Sequence, residues 1–142
     1  SALRPDALES LSLEEAVQRI MREMSETGGV RFFCEIDLEG LRFDDDEEDT
    51  IYRIVQESIT NSVSHGKATE IYVGLKKAYG AVHIRICDNG TGCPDYKKGF
   101  GLVHMQERAR LLGGSVCFDG NTGLDGGKGF AVHAEIPIRW GK

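Results

Sequence analysis

Ile51-Tyr-Arg-Ile-Val-Gln-Glu-Ser-Ile-Thr-Asn61, continued by Ser62-Val-Ser-His65, decides how this chain is read. Ile51, Ile54, Val55, Ser58, Ile59 and Ser62 recur at the three- and four-residue spacing of one α-helical face. The segment therefore predicts a helix over residues 50–64 with that face inward. Glu57 and Asn61, four apart, project together at the polar edge of the stripe. A carboxylate beside an amide oxygen is a hard-ligand pair suited to Mg2+ carrying phosphates; the plain alternative is a solvated helix face. His65 follows four residues later, where a histidine ordinarily meets the negative end of the helix.

Upstream, Ser12-Leu-Glu-Glu15 has capping-box spacing, so a helix starts there. Leu13, Ala16, Val17, Ile20, Met21 and Met24 give it one apolar stripe, and Gly28-Gly29 stops it. Val30, Phe32, Cys34 and Ile36 alternate with polar or aromatic neighbours, the mark of a half-buried strand. The acidic run at 44–49 lacks the ligand spacing and glycine of a calcium loop. It reads as a solvated turn whose acids face the positive end of the helix at 50–64.

Downstream, strands are expected at about 69–76 and 81–87, with Tyr79-Gly80 marking the hairpin between them. A third helix is expected near 102–112, closed by Gly113-Gly114. Strands at about 115–119 and 130–138 follow, joined by a glycine-rich loop. Five alternating strands and three one-sided helices predict an α+β fold. In it, a two-layer α/β sandwich, a mixed five-stranded sheet carries the three helices on one face. Residues 1–142 form a single domain in this reading.

A net charge of −6 argues against binding nucleic acid or an anionic membrane by charge alone. Cys34, Cys87, Cys93 and Cys117 form no C-x-x-C pair, so they read as reduced thiols, with Cys34, Cys87 and Cys117 on strands. No apolar run approaches the ~18 residues of a membrane span, and no signal peptide is evident. A cytoplasmic location is expected.

Asp88 ends a predicted strand, with Gly90 and Gly92 directly after it. Glycines there let backbone approach a flat ligand, and the carboxylate suits the exocyclic amine of adenine. A simple D-N-G turn is the alternative, but Cys93-Pro94 and a short polar loop follow rather than a strand. That loop ends in Gly99-Phe-Gly-Leu102 at a predicted helix start, where free amides and the dipole favour phosphate, and Lys97 and Lys98 add charge. The glycines fit neither a Walker loop nor a dinucleotide-binding turn.

The order of these pieces is more specific than any one of them: E-x-x-x-N on a helix, D-x-G-x-G after a strand, G-F-G-L opening a helix. As a set, they resemble the GHKL superfamily of ATPases, with its Bergerat-type sandwich, shared by DNA gyrase, heat-shock chaperones, histidine kinases and MutL. Within it, 51–61 with Ser64-His65 resembles the N box of nitrate-sensor-like sensor kinases. Gly99–Leu102, Met105-Gln-Glu-Arg-Ala109 and Leu112-Gly-Gly114 resemble the lid end and following helix of that group. Leu3-Arg-Pro and Leu8-Glu-Ser-Leu11 resemble a link from upstream helices, so residues 1–11 are expected to be that link.

The resemblance implies the ATP-binding catalytic domain of a two-component sensor histidine kinase, with ATP and Mg2+ as cofactors. Asp88 would anchor adenine, with Gly90 and Gly92 as its backbone neighbours. Asn61 would be the Mg2+ ligand, and Glu57 the catalytic carboxylate near the metal and γ-phosphate. Gly99, Gly101 and Leu102 would line the phosphate end and His65 the ribose or phosphate side. The implied partners are the protein's own upstream dimerisation and phosphoacceptor helices, a second copy of the full-length chain, and a response regulator, with no nucleic acid. A cytoplasmic part of a membrane-bound sensor also fits.

Two positions depart from the pattern: Ser64 replaces a lysine of many relatives, and Phe130 replaces the threonine of a late G-x-G-T motif. The lid at 93–98 is short. His83 and His133 on strands and His104 on a helix do not resemble a phosphoacceptor, so this chain alone is not expected to phosphorylate itself. The alternatives are an anti-sigma-factor-type serine kinase and a nucleotide-binding pseudoenzyme used for interaction.

Overall fold

Alternating apolar residues and one-sided helices drive the chain into two layers, as its periodicities predict. The computed structural model describes residues 4–92, 101–120 and 128–141. In chain order these form α1 (Ala7–Ser10), α2 (Leu13–Gly28), β1 (Arg31–Asp37), β2 (Leu41–Arg42), α3 (Asp45–Ser64), β3 (Glu70–Ala78) and β4 (Ala81–Asp88). Then come α4 (Leu102–Leu111), β5 (Ser115–Asp119), β6 (Ala131–Pro137) and β7 (Trp140–Gly141).

The main sheet has five strands in the order β1-β3-β4-β6-β5. The β1–β3 pairing is parallel and the other three are antiparallel, so the sheet is mixed, as expected. Ile71, Val73 and Leu75 of β3, Val82, Ile84 and Ile86 of β4, and Val132, Ala134 and Ile136 of β6 are all buried. They form the floor on which the helices pack. Each such aliphatic side chain contributes about 1.5–3 kcal/mol relative to exposure. The opposite face carries Lys76, Arg85, His133 and Glu135 and is open to solvent. Tyr79 and Gly80 both take positive φ, 52° and 78°, the primed turn whose twist matches the β3–β4 hairpin.

The capping box at the start of α2 is present: Glu15 N–H donates to Ser12 Oγ at 3.2 Å and Ser12 N–H to Glu15 Oε1 at 2.9 Å. Its stripe buries Leu13, Ala16, Val17, Ile20 and Met21. In α3, Ile51, Ile54, Val55, Ser58, Ile59 and Ser62 are likewise buried.

Three expectations need correction. The acidic run is not a turn before α3 but its first turns, since the helix begins at Asp45. Asp44 caps it through a second reciprocal box with Glu47, at 2.8 Å in both directions. Glu47 is buried and receives Arg139 Nε at 2.8 Å, a partner far away in sequence. Second, β1 does not alternate in burial: Cys34 is exposed, while Phe32 and Ile36 are half-buried. As the sheet's edge strand, β1 has a neighbour on one side only, so the helix layer covers it incompletely. Third, β2 and β7 add a small antiparallel sheet, pairing Leu41 with Gly141 and Arg42 with Trp140.

Before α1, which packs on α2, Arg4 ties the chain to the start of α3. Arg4 reaches Glu48 Oε1 at 2.6 Å, Asp45 Oδ1 at 3.0 Å and Asp49 Oδ1 at 3.1 Å.

Candidate functional site

In the C-terminal half of α3 the inward face is apolar except at Ser58 and Ser62, and β4 ends with a carboxylate where the sheet meets that helix. Asp88 is buried, with 1 % of its surface exposed. Three donors hold it: Ser62 Oγ to Oδ2 at 2.6 Å, Gly90 N–H to Oδ1 at 2.8 Å, and Phe130 N–H to Oδ1 at 3.2 Å. A buried carboxylate without such donors would be costly. Next to it, burial and the Asp88 charge push the Cys87 thiol above its ordinary pKa, so Cys87 stays protonated.

Gly90 cannot carry a side chain, because a Cβ there would collide with the Gly66 carbonyl. That carbonyl accepts the Thr91 N–H at 2.8 Å. Asn89, between them, works as a clamp: its Oδ1 accepts the Thr69 and Glu70 amides, both at 2.9 Å. The D-N-G segment is thus a turn, but one that fastens the end of β4 to the loop after α3.

Asn61, Asp88, Gly92 and Leu102 line one cavity together with Ser62, Gly66 and Phe130. Among the described residues its volume is about 10 Å³, room for about one water. Leu102 and Phe130, both buried, form part of its wall, and a purine ring needs far more room than this. Phe130 stacks on Phe118 with centroids 6.1 Å apart.

Glu57 and Gly101 meet in a neighbouring cavity of about 210 Å³, lined also by Gln56, His104, Met105 and Arg108. Gly101 has φ 76° and precedes α4, and a Cβ on it would collide with the Glu57 carboxylate. The helix α4 has no side-chain cap and no acid in its first turn, unlike α2 and α3. Its first amides are left to other acceptors.

Of the expected site residues, Asn61, Asp88, Gly92 and Leu102 therefore converge, with Gly90 packed behind Asp88 and Glu57 against Gly101. His65 is exposed, caps α3 and lines neither cavity. Gly99 and the rest of 93–100 lie outside the described residues. Ser62 and Gly66 are site residues that the sequence reading did not assign to it, and Phe130 was noted there only as a departure from the G-x-G-T motif. The signal for Ser62 was a hydroxyl set in an apolar stripe.

Residues 46–139 match the family described as histidine kinase-, DNA gyrase B-, and HSP90-like ATPase. Among solved structures, the catalytic domain of histidine kinase ThkA in a nucleotide-free form superposes with a TM-score of 0.68 at 19% identity, covering 90% of this chain and 93% of that one. The ATP-binding domain of PrrB from Mycobacterium tuberculosis gives 0.66 at 22%, covering 90% and 95%. The mycobacterial sensor histidine kinase MprB gives 0.64 at 17%, covering 92% and 97%. At these identities the likeness establishes the shared fold.

Proposed function

The chain belongs to the histidine kinase-, DNA gyrase B-, and HSP90-like ATPase family, and from that premise we propose that it is the ATP-binding catalytic domain of a two-component sensor histidine kinase. It would present the γ-phosphoryl of ATP to a histidine on a separate helical domain.

One observation carries this reading. A carboxylate offers about four acceptor positions, and the described residues fill three of those on Asp88. Asp88 lines the cavity shared with Asn61 and Leu102, and a remaining acceptor position there would suit the exocyclic amine of adenine. Ser62, Gly90 and Phe130 orient the carboxylate and leave it one acceptor for the base. The uncapped start of α4 at Gly101 and Leu102 supports a phosphate end, because its amides and dipole favour an anion. Phosphoryl transfer in such a site depends mainly on positioning and charge neutralisation.

The donor set also fits Mg2+. Asn61 offers an amide oxygen beside the nucleotide cavity, and the Glu57 carboxylate is a second hard oxygen donor one turn earlier on the half-buried face of α3. Bound there, the ion would neutralise phosphate charge. Glu57 would orient the γ-phosphate side, Gly99 would join Gly101 at the phosphates, and His65 would sit toward ribose or phosphate from the end of α3. Residues 1–11 would link to upstream dimerisation helices of a cytoplasmic signalling protein that phosphorylates a response regulator.

Calorimetric titration with Mg-ATP and Mg-ADP, together with incubation in labelled ATP, tests the proposal. The chain should bind nucleotide, and Asn61→Ala should reduce the Mg2+ dependence of binding. Acid-labile phosphate should appear only when the upstream-encoded helices are supplied. No nucleotide binding, or stable phosphohistidine on this chain alone, would overturn it.

A further inference from the structure

The open face of the sheet carries a cluster that lines neither of the two cavities described above. We infer that His83, His133 and Glu135 form a binding site for one divalent transition-metal ion of the zinc class.

The three side chains come from β4 and β6. His83 and Glu135 are register partners, and His133 lies two residues before Glu135 on the same face. His83 Nδ1 is 3.3 Å from His133 Nε2 and 3.5 Å from Glu135 Oε1, and one donor atom from each residue falls within 4.8 Å of the others. Zinc–nitrogen and zinc–oxygen bonds of about 2.0–2.2 Å at tetrahedral angles place ligand atoms roughly 3.3–3.6 Å apart. The two distances to His83 Nδ1 already match that separation.

The tautomer of His83 is set for the same role. Its Nε2 lies 3.1 Å from the Ala78 carbonyl oxygen, which can only accept, so Nε2 carries the hydrogen and a neutral ring leaves Nδ1 bare. This is the backbone-carbonyl arrangement that orients metal-binding histidines. Nδ1, an acceptor in this tautomer, faces His133 Nε2 at 3.3 Å and Glu135 Oε1 at 3.5 Å, so lone pairs from all three residues converge on one cation once the hydrogen on His133 Nε2 is displaced. The rival occupant is the hydrogen of His133 Nε2, donated to His83 Nδ1.

Of the neighbouring cations, Lys76, the register partner of His83, bonds Glu35 at 3.5 Å, and Arg85, the partner of His133, is exposed on the same face. Cys117, the partner of His133 on β5, is exposed but is not among the converging atoms. Three protein ligands in an exposed setting leave a fourth position to water, and imidazole with carboxylate favours zinc over magnesium. Because fifty residues separate the two histidines, no local spacing announces the site.

The test titrates tag-free chain with zinc chloride by calorimetry and with cobalt(II) by visible absorption. One ion per chain and a tetrahedral cobalt spectrum are expected, unaffected by excess Mg2+. His133→Ala and His83→Gln should each weaken zinc by more than the ~10–100-fold that loss of an outer-shell partner costs. Circular dichroism checks that both variants fold, and Cys117→Ser should bind as the parent does. No zinc binding by the folded parent chain overturns the inference, as does binding undiminished in both histidine variants or lost only in Cys117→Ser.

Discussion

Ser62 on α3 donates its hydroxyl hydrogen to Asp88 Oδ2 at 2.6 Å, joining the helix to the end of the central strand β4 at a point closed to solvent. Both residues are buried, at 5 % and 1 % exposure, so neither can turn to water instead. The bond holds the carboxylate at the wall of the cavity that Asn61 and Leu102 share. In the proposed function, stability and nucleotide recognition meet at this one hydroxyl.

Removing that hydroxyl separates the two effects. Ser62→Ala deletes one donor to a buried charge but leaves the Gly90 and Phe130 amides in place. The expected loss is about 1.5–3 kcal/mol of unfolding free energy, the range for hydrogen bonds to charged groups. Denaturant unfolding measures it. An unchanged midpoint would mean that Ser62 does not support Asp88.

Asp88→Asn should be milder for the fold than for the ligand. Its amide oxygen can still accept the Gly90 and Phe130 amides, and the Ser62 hydroxyl can rotate to accept from the new amide. The charge-assisted acceptor for adenine is lost, which should weaken Mg-ADP by roughly 1.5–3 kcal/mol in calorimetry. Equal affinity in the variant would remove Asp88 as the adenine anchor.

Gly101 and Glu57 are expected to be coupled. Alanine at a φ of 76° costs about 1–2 kcal/mol by itself, and the Glu57 carboxylate already occupies the space of the new Cβ. Gly101→Ala should therefore be more harmful in the parent chain than in a Glu57→Ala background. A double-mutant cycle should give a coupling energy within the ~0.5–3 kcal/mol seen for residues in contact. Strict additivity would show that the two do not touch.

What the sequence conveyed and what it withheld divide along the distance of the interactions. The α3 stripe and the central strands could be read because period 3.6 and period 2 are local properties. Asp88 could be read because its glycines are adjacent in the chain. The start of α3 was misplaced: Asp44 and Glu47 do have capping spacing, but Glu47 is buried by Arg139, ninety-two residues later. The exposure of Cys34 follows from the edge position of β1, which pairing alone decides. Gly66 and Phe130 enter the site through backbone groups that meet Gly90 and Asp88 only after folding.

The misplaced helix start yields its own prediction. Asp44→Ala removes the side chain that accepts the Glu47 amide at 2.8 Å, and loss of such a cap typically costs about 0.5–2 kcal/mol. Thermal unfolding should show the loss. Nucleotide affinity should hold, since the cap lies at the opposite end of α3 from Asn61.

The last prediction concerns pH. Tyr72 lies along β3 above Gly74, whose missing side chain makes room for the ring, and donates to Glu35 Oε1 at 2.6 Å. Burial first, then this hydrogen bond and the Glu35 charge, push the phenol from its ordinary 10.0 up to about 12. Folding thus favours the protonated phenol. Its contribution is complete below pH 10 and is lost as pH rises through about 12. Glu35 shifts the other way: the Tyr72 hydrogen bond, then Lys76, lower its pKa, so its contribution holds above the ordinary carboxylate value and fades in acid. In an alkaline titration followed by phenolate absorbance, one tyrosine should ionise near pH 12 in the folded chain. Glu35→Gln should bring that step down toward 10 while burial keeps it from reaching 10. A step that stays put in the variant would assign the whole shift to burial and remove Glu35 from the account.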